Sequence, residues 1–214
     1  MDMLSASEVL EVTETDPHPS HVTETRCRML AQMLGRYSSS PGHLAYPAPS
    51  DGELEVMTLA ALRAPDHCKR IPFRFVVARA RALERLAELF LDYGRRRGKT
   101  DAALEDERQR ALHAPLLVAV IARIDADDQR VPVHEQWACV GGAIANAVLA
   151  LHVMGYGAKM VSGSRARDPA VAAAYCGPGE TLVGWIAAGT TTSPPVPRGD
   201  VDPATIISTF APPT

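Results

Sequence analysis

Pro115 introduces seven consecutive apolar residues, Leu116-Leu117-Val118-Ala119-Val120-Ile121-Ala122. Neither alternate face of this run is polar, so it reads as a strand buried on both sides. A chain of 214 residues is long enough for one domain with a substantial core, and short for two of typical size. Apolar residues make up 46% and charged ones 22%, an ordinary balance for a soluble globular protein. The net charge of −3 gives no electrostatic reason to expect nucleic acid as a partner.

Periodicity organises the rest. Residues 1–24 are polar, with Asp16-Pro17-His18-Pro19-Ser20 in the middle. They read as a mobile extension in which Leu4 to Val12 can form a short helix, leaving 25–214 as a single domain. Met29, Leu30, Met33 and Leu34 have the spacing of an amphipathic helix that stops at Gly35. A loop containing Pro47 and Pro49 follows, and Ser50 or Asp51 can cap a helix from Gly52 to Leu62. Pro65 disfavours helical geometry at Ala64, and a strand over Phe73 to Ala78 comes next. Leu83, Leu86, Leu89, Phe90 and Tyr93 line one face of a charged helix, and a polar helix covers Asp101 to Leu112. The long apolar helix Trp137 to Met154 is rich in small residues, among them Gly141 and Gly142, and ends at Gly155 and Gly157. A short helix over Pro169 to Tyr175 and a strand over Leu182 to Ala187 follow. The tail rich in Pro and Thr carries an apolar patch, Ile206, Ile207 and Phe210, suited to wrapping a neighbour.

Several chemistries are excluded. The four cysteines (Cys27, Cys68, Cys139, Cys176) have no paired spacing, which supports neither zinc nor a disulfide framework. There is no Gly-x-Gly-x-x-Gly after a strand, no phosphate-binding Gly-x-x-x-x-Gly-Lys and no Gly-x-Ser-x-Gly. Asp125, Asp127 and Asp128 miss the calcium-loop pattern and read as a solvated turn. Arg95-Arg96-Arg97 and Lys99 sit at a helix end, where cations suit the dipole. The N-terminus has acidic residues before any apolar run, unlike a signal peptide. The run from Trp137 is interrupted by Asn146 and His152 and is marginal in length for a bilayer. It reads as a buried helix of a cytoplasmic protein without a membrane partner.

Three polar clusters remain: Arg36/Ser38/Ser40, Arg63/His67 and Lys159/Ser162/Gly163. Each places donors suited to an anionic phosphate beside a glycine or a helix end. By themselves Arg63 and His67 read equally well as a solvated helix-end charge and a turn residue.

The order of these clusters resembles that of the minimal, single-domain members of the FMN-dependent nitroreductase family, from about Arg26 to about Thr190. Arg36-Tyr37-Ser38, with Ser40-Pro41, stands where that family has Arg-Arg-Ser at the end of its first helix. Arg63-Ala64-Pro65-Asp66-His67 matches its Arg-Ala-Pro corner, and Ile71-Pro72-Phe73 its Gln-Pro-Trp. Val131-Pro132, Glu135 and Gln136 match Val-Pro-x-x-Glu-Gln, and Met160-Val161-Ser162-Gly163 stands for Trp-Arg-Ser-Gly. Val183-Gly184-Trp185-Ile186 through Gly189-Thr190 corresponds to the closing strand.

The resemblance implies an α+β fold, a central, mostly antiparallel sheet flanked by helices, in an intertwined homodimer that exchanges C-terminal segments. It implies FMN at the dimer interface. Arg36 and Ser38 would hold its phosphate and ribityl chain, with Tyr37 adjacent. Arg63 and His67 would also touch it, as would Met160, Val161 and Ser162. No residue acts as a nucleophile. NAD(P)H would pass hydride to flavin N5, and an electron-poor acceptor such as a nitro compound or quinone would collect it. Tyr37 and Val161 stand where the family has cations, a loss Lys159 could partly restore, and Phe73 and Met160 replace two tryptophans. These departures leave open a flavin-binding or storage protein without turnover, and a flavin-consuming enzyme of the same superfamily. Replacing Arg36 by Ala is expected to weaken FMN binding by about 1.5–3 kcal/mol, the range for a hydrogen bond to a charged group. Titration of the apoprotein with FMN measures it.

Overall fold

The computed structural model of the chain describes residues 24–195 and 201–210. The expected N-terminal extension, with its Leu4 to Val12 helix, lies outside these residues except for Glu24. Backbone contacts divide the chain after Tyr37 and after Pro194 into a smaller and a larger unit.

The smaller unit holds helix α1 (Glu24–Gly35) and a 3-10 turn at Pro203–Thr205. The expected amphipathic helix forms, yet Met29, Met33 and Leu34 on it are exposed, as are Ile206, Ile207 and Phe210 of the tail.

The larger unit is built on β5 (Thr181–Thr191). It is hydrogen-bonded to β1 (Leu44–Ala45), β3 (Leu116–Ala122) and β4 (Gly157–Val161). Strand β2 (Phe73–Arg79) pairs with β3 and ends the sheet on that side. Every pairing is antiparallel. All seven residues of β3 are buried, as the continuous apolar run requires. Its alternate residues serve two cores. Leu116, Val118, Val120 and Ala122 pack with α2 (Asp51–Ala61) and α5 (Val133–Val153). Leu117, Ala119 and Ile121 pack on the other side with α3 (Arg81–Arg96), whose Leu83, Leu86 and Phe90 are buried. Helices α4 (Asp101–Leu112) and α6 (Pro169–Ala173) complete that side through Ala111 and Val171. The result is the expected α+β arrangement, a central antiparallel sheet between helices.

Local chemistry explains most boundaries. Ser50 is the N-cap of α2, its hydroxyl accepting from Glu53 N–H while the Glu53 carboxylate accepts from Ser50 N–H, a reciprocal capping box. Gly155 (φ +88) ends the α5 region as expected. Helix α5 begins at Val133, four residues before the expected Trp137, with Pro132 at its N-cap. It is a core helix, with Cys139, Val140, Ala143, Ala147 and Leu151 buried.

Two strands escaped the periodicity. β1 has two residues and β4 five, too short to show alternation. Gly157 does not end the helix but opens β4. A Cβ there would stand 2.7 Å from Ser39 Oγ and 2.8 Å from Leu44 Cδ2. Strand β5 runs four residues beyond the expected Ala187. The aspartate turn is not merely solvated. Asp128 forms an ion pair with Arg70 and accepts hydrogen bonds from Arg130 and Val131 N–H. Among the described residues no cluster suited to a metal occurs.

One buried charge stands in polar helix α4. Glu107 is 1% exposed. Its carboxylate accepts from Lys99 Nζ at 2.6 Å and from Arg165 Nη2 at 2.8 Å, with Arg165 Nε on its other oxygen. Burial by itself would raise its pKa. The hydrogen bonds and charges of Arg165 and Lys99 outweigh that and lower it to about 2. A carboxyl depressed in the folded state stabilises above its unfolded pKa and loses that contribution as pH falls through the folded value. Glu107 therefore contributes in full above about pH 5 and loses its share between there and about pH 2. That share is on the order of 3 kcal/mol at one pKa unit per 1.36 kcal/mol. Urea unfolding of Glu107→Gln at pH 7 and pH 3 is expected to show a flatter pH dependence than the parent.

Candidate functional site

The expected site residues of the larger unit stand in two groups, one on the corner beside α5 and one along β4. The first is the corner after α2. Ala64 and Pro65 rest on α5 at Gly142, where a Cβ would stand 3.2 Å from Ala64 Cβ and 3.5 Å from Pro65 Cδ. The glycine is there for close approach, and it brings Arg63 and His67 alongside the helix. His67 Nδ1 lies 2.7 Å from Glu135 Oε2, in the first turn of α5. Arg63 is exposed.

This corner is strained and firmly held. Cys68, Lys69 and Ile71 adopt φ of 60°, 53° and 48°, a region L side chains seldom occupy. The Asp66 carboxylate accepts from Arg70 N–H at 3.0 Å and from Ile71 N–H at 2.8 Å. Arg123 donates to the carbonyls of Ile71 and Phe73, and Arg70 reaches across to Asp128. The backbone N–H of Arg130 is the main cause that holds the Asp128 carboxyl below its usual range, with Val131 N–H and Arg70 adding to it. Buried Gln136 accepts from Asp125 N–H and donates to the carbonyls of Asp125 and Val131. The start of α5, the loop before it and the corner are thus tied together.

The second group lies along β4. Ser39 N–H donates to the Ala158 carbonyl at 3.2 Å, which lays the loop of Ser38 and Ser40 against the start of the strand. Ser38 is exposed, while Ser39 is buried and its hydroxyl has no partner among the described residues. Near the far end of β4, Ser162 Oγ donates to the Val183 carbonyl at 2.8 Å. That carbonyl is offered by a bulge, since Val120 pairs with Gly184 and Ile121 with Leu182, leaving Val183 unmatched. Gly184 has φ +150, and a Cβ there would come within 2.3 Å of the Val161 carbonyl. Met160 packs toward the α2/α5 core and Val161 toward the α3 core. Their side chains therefore face opposite sides of the sheet. Lys159 pairs with Ala187, which belongs to the α3 core, so alternation puts it on Val161's face.

From Glu135 to Val153, α5 extends roughly 27 Å at 1.5 Å per residue. The Ser38 loop sits by Ala158, just past its C-terminal end, and His67 sits by Glu135. One chain does not bring Ser38 and His67 together. Arg36 and Tyr37 belong to the smaller unit, where both are half-buried and Arg36 N–H donates to the Met33 carbonyl at 3.4 Å. Arg36 and Arg63 have no ion pair among the described residues, whereas Arg70, Arg74, Arg79, Arg96 and Arg165 each have one. An unpaired guanidinium is a fitting donor for an anion such as a flavin phosphate. Glu135 was quoted in a motif but given no role by the sequence. A partner 68 residues away leaves no local signal.

A family model described as the nitroreductase family matches residues 35–190. The chain belongs to the nitroreductase family. It is 30% identical over 162 residues to YdjA of Escherichia coli (strain K12), whose name marks it as a candidate NAD(P)H nitroreductase. The match covers 75% of this chain and 87% of that one. Its fold is similar to that of a nitroreductase-like family protein from Bacillus cereus, with a TM-score of 0.70 at 18% identity. That match covers 85% of this chain and 95% of the other. A nitroreductase-type protein of Desulfovibrio desulfuricans solved in complex with FMN gives a TM-score of 0.64 at 18% identity, covering 86% and 98%.

In this nitroreductase-family chain the Gly142 contact is a point of control. Gly142→Leu is expected to push the Arg63 corner off α5 and destabilise the fold by about 1–3 kcal/mol, the usual cost of overpacking. Gly142→Ala, which needs a shift of only a few tenths of an ångström, is expected to stay within about 1 kcal/mol of the parent because alanine also favours the helix. Urea denaturation of the two variants separates these outcomes.

Proposed function

We propose that this protein is an FMN-dependent oxidoreductase that takes electrons from NAD(P)H and gives them to an electron-poor small molecule, such as a nitro compound or quinone. The observation that carries this reading is the placement of exposed, anion-suited donors, Arg63 on the corner beside α5 and Ser38 on the loop against β4, in a chain of this family. The name of the Escherichia coli relative and the FMN complex of the Desulfovibrio protein support it.

When bound, FMN supplies hydride transfer through its N5, a chemistry that belongs to the cofactor. This chain binds and orients. Arg36 and Ser38 hold the phosphate and ribityl chain, with Tyr37 beside them on the evidence of the motif. Ser162 and the backbone of Val161 serve from the end of β4, and Met160 contributes its side chain. His67 stands roughly 27 Å of helix away from the Ser38 loop, so a second copy supplies it, together with Arg63 of the same corner. The active species is then a homodimer whose flavin is touched by both chains, acting in the cytoplasm.

The tail gives this dimer its fastening. Beside α2 and the outermost strand β2 lies an open groove of about 540 Å³, lined by Leu54, Thr58, Leu59 and Val77 with Asp51 and Glu55. Leu59 and Val77 are exposed there, and so are Ile206, Ile207 and Phe210. An unpaired strand edge with apolar surface beside it suits an added segment, and the tail of a second copy is the occupant proposed. Removing the chain from Val201 onward is expected to lower both dimer stability and FMN retention. Light scattering that finds a monomer still holding FMN overturns the two-chain site.

One observation favours the storage reading in part. The Val161 side chain packs in the α3 core, at the position where the family has an arginine. Absorbance of the purified protein, followed by anaerobic addition of NADH or NADPH, decides between them. Bleaching of the yellow protein supports the oxidoreductase, and a colour that persists with both donors supports storage.

A further inference from the structure

We propose that Glu135 is a positioning residue that fixes which nitrogen of His67 faces a ligand. The inference rests on the FMN reading above, and it assigns a role to a side chain which that reading leaves idle. The 2.7 Å separation between His67 Nδ1 and Glu135 Oε2 is a hydrogen bond in which an ionised carboxylate can only accept. His67 must therefore carry its proton on Nδ1. That leaves Nε2 as the nitrogen for the ligand, an acceptor in the neutral ring and a donor in the cation.

Three features make this pairing a built one. Glu135 is followed by Gln136, which is 3% exposed and bound to Asp125 and Val131. The first turn of α5 cannot rotate without breaking those bonds, so the direction of Glu135 is set by its neighbour. His67 is fixed in turn by the Asp66 bonds to Arg70 and Ile71 N–H. The Arg70–Asp128 ion pair and the Arg123 bonds to Ile71 and Phe73 join the two sides. Finally, the His67 and Glu135 side chains are 55% and 40% exposed. An exposed pair contributes little to stability, so holding the fold together does not account for it. A fixed ring orientation does, and orientation is what a binding site needs from a histidine.

The test uses the full chain and four variants: Glu135→Ala, Glu135→Gln, His67→Ala and the double variant. FMN affinity is titrated in each, and the ring of His67 is observed by nitrogen NMR of labelled protein. The neutral parent ring is expected to carry its proton on Nδ1, and the Glu135→Ala ring to shift toward the Nε2 form. Glu135→Ala is expected to weaken FMN at least about fivefold in the parent and less than about twofold when His67 is already Ala, a coupling typical of residues in contact. Glu135→Gln, whose amide oxygen can still accept, is expected to stay within about twofold of the parent. A parent ring protonated on Nε2 overturns the proposal, as does a Glu135→Ala loss that persists without His67, or a Gln variant as weak as Ala. FMN bound normally by Glu135→Ala but weakly by His67→Ala overturns the positioning role and leaves the FMN reading standing. A parent that binds no FMN at all removes that reading, and the proposal with it.

Discussion

The larger unit depends on one strand. β5 is the only strand of the larger unit hydrogen-bonded to three others, so the register of β1, β3 and β4 is set along its length. That register is interrupted once, at Val183, where an unmatched residue turns its carbonyl toward Ser162. Before the bulge Leu182 faces the α3 core, and after it Trp185 faces the same core. Two residues of like orientation three apart cannot occur in an unbroken strand of period 2. The extra residue is what lets β5 serve the core and offer a carbonyl at the end of β4. Gly184 makes this possible, since a side chain there would collide with the Val161 carbonyl.

Helix α5 performs the matching task on one face of the sheet. Its apolar residues fill the core, and its ends are used differently. Near the C-terminal end, Tyr156 donates to Glu53 of the α2 capping box, so the helix end and the start of α2 are joined. At mid-length Gly142 receives Ala64 and Pro65, and in the first turn Glu135 receives His67. α2 and its following corner therefore run antiparallel to α5, read as a ladder of three contacts. Candidate site residues are mounted where that ladder ends, on backbone fixed by Gln136 and Asp66.

The fold was legible wherever a signal repeated over enough residues. β3 could be read because seven apolar residues in a row admit few alternatives, and α3 because Leu83, Leu86, Phe90 and Tyr93 recur at helical spacing. The Ser50 cap and the Gly155 stop were legible from local backbone chemistry. β1 and β4 were not, because their pairing comes from β5 and their own residues carry no period. At the site, Arg63 and His67 could be located on their corner from Pro65 alone. Their partners could not. The contacts of Gly142 with Ala64, Glu135 with His67 and Asp128 with Arg70 each join distant segments, so no window of sequence contains both members. The aspartate turn shows the same limit. Asp128 looks solvated in the sequence and is in the structure the anchor of Arg70.

The distribution of charge partners carries the argument furthest. Arg70, Arg74, Arg96 and Arg165 are each matched with a carboxylate far away in the chain, Asp128, Glu180, Asp168 and Glu107 in turn. Such pairs hold loops in place, and their charge is already answered. Arg63 stands on an equally fixed corner with no carboxylate among the described residues. A guanidinium held on rigid backbone but left unmatched keeps its full capacity for an incoming anion, whereas a matched one must first lose its partner. The same reasoning separates the two serines. The Ser162 hydroxyl already donates to Val183, so it offers a ligand only its lone pairs. Ser38 is exposed, its hydroxyl without a partner among the described residues, and can meet a phosphate oxygen directly. The chain thus uses its paired charges for shape and leaves Arg36 and Arg63 without an ion pair among the described residues.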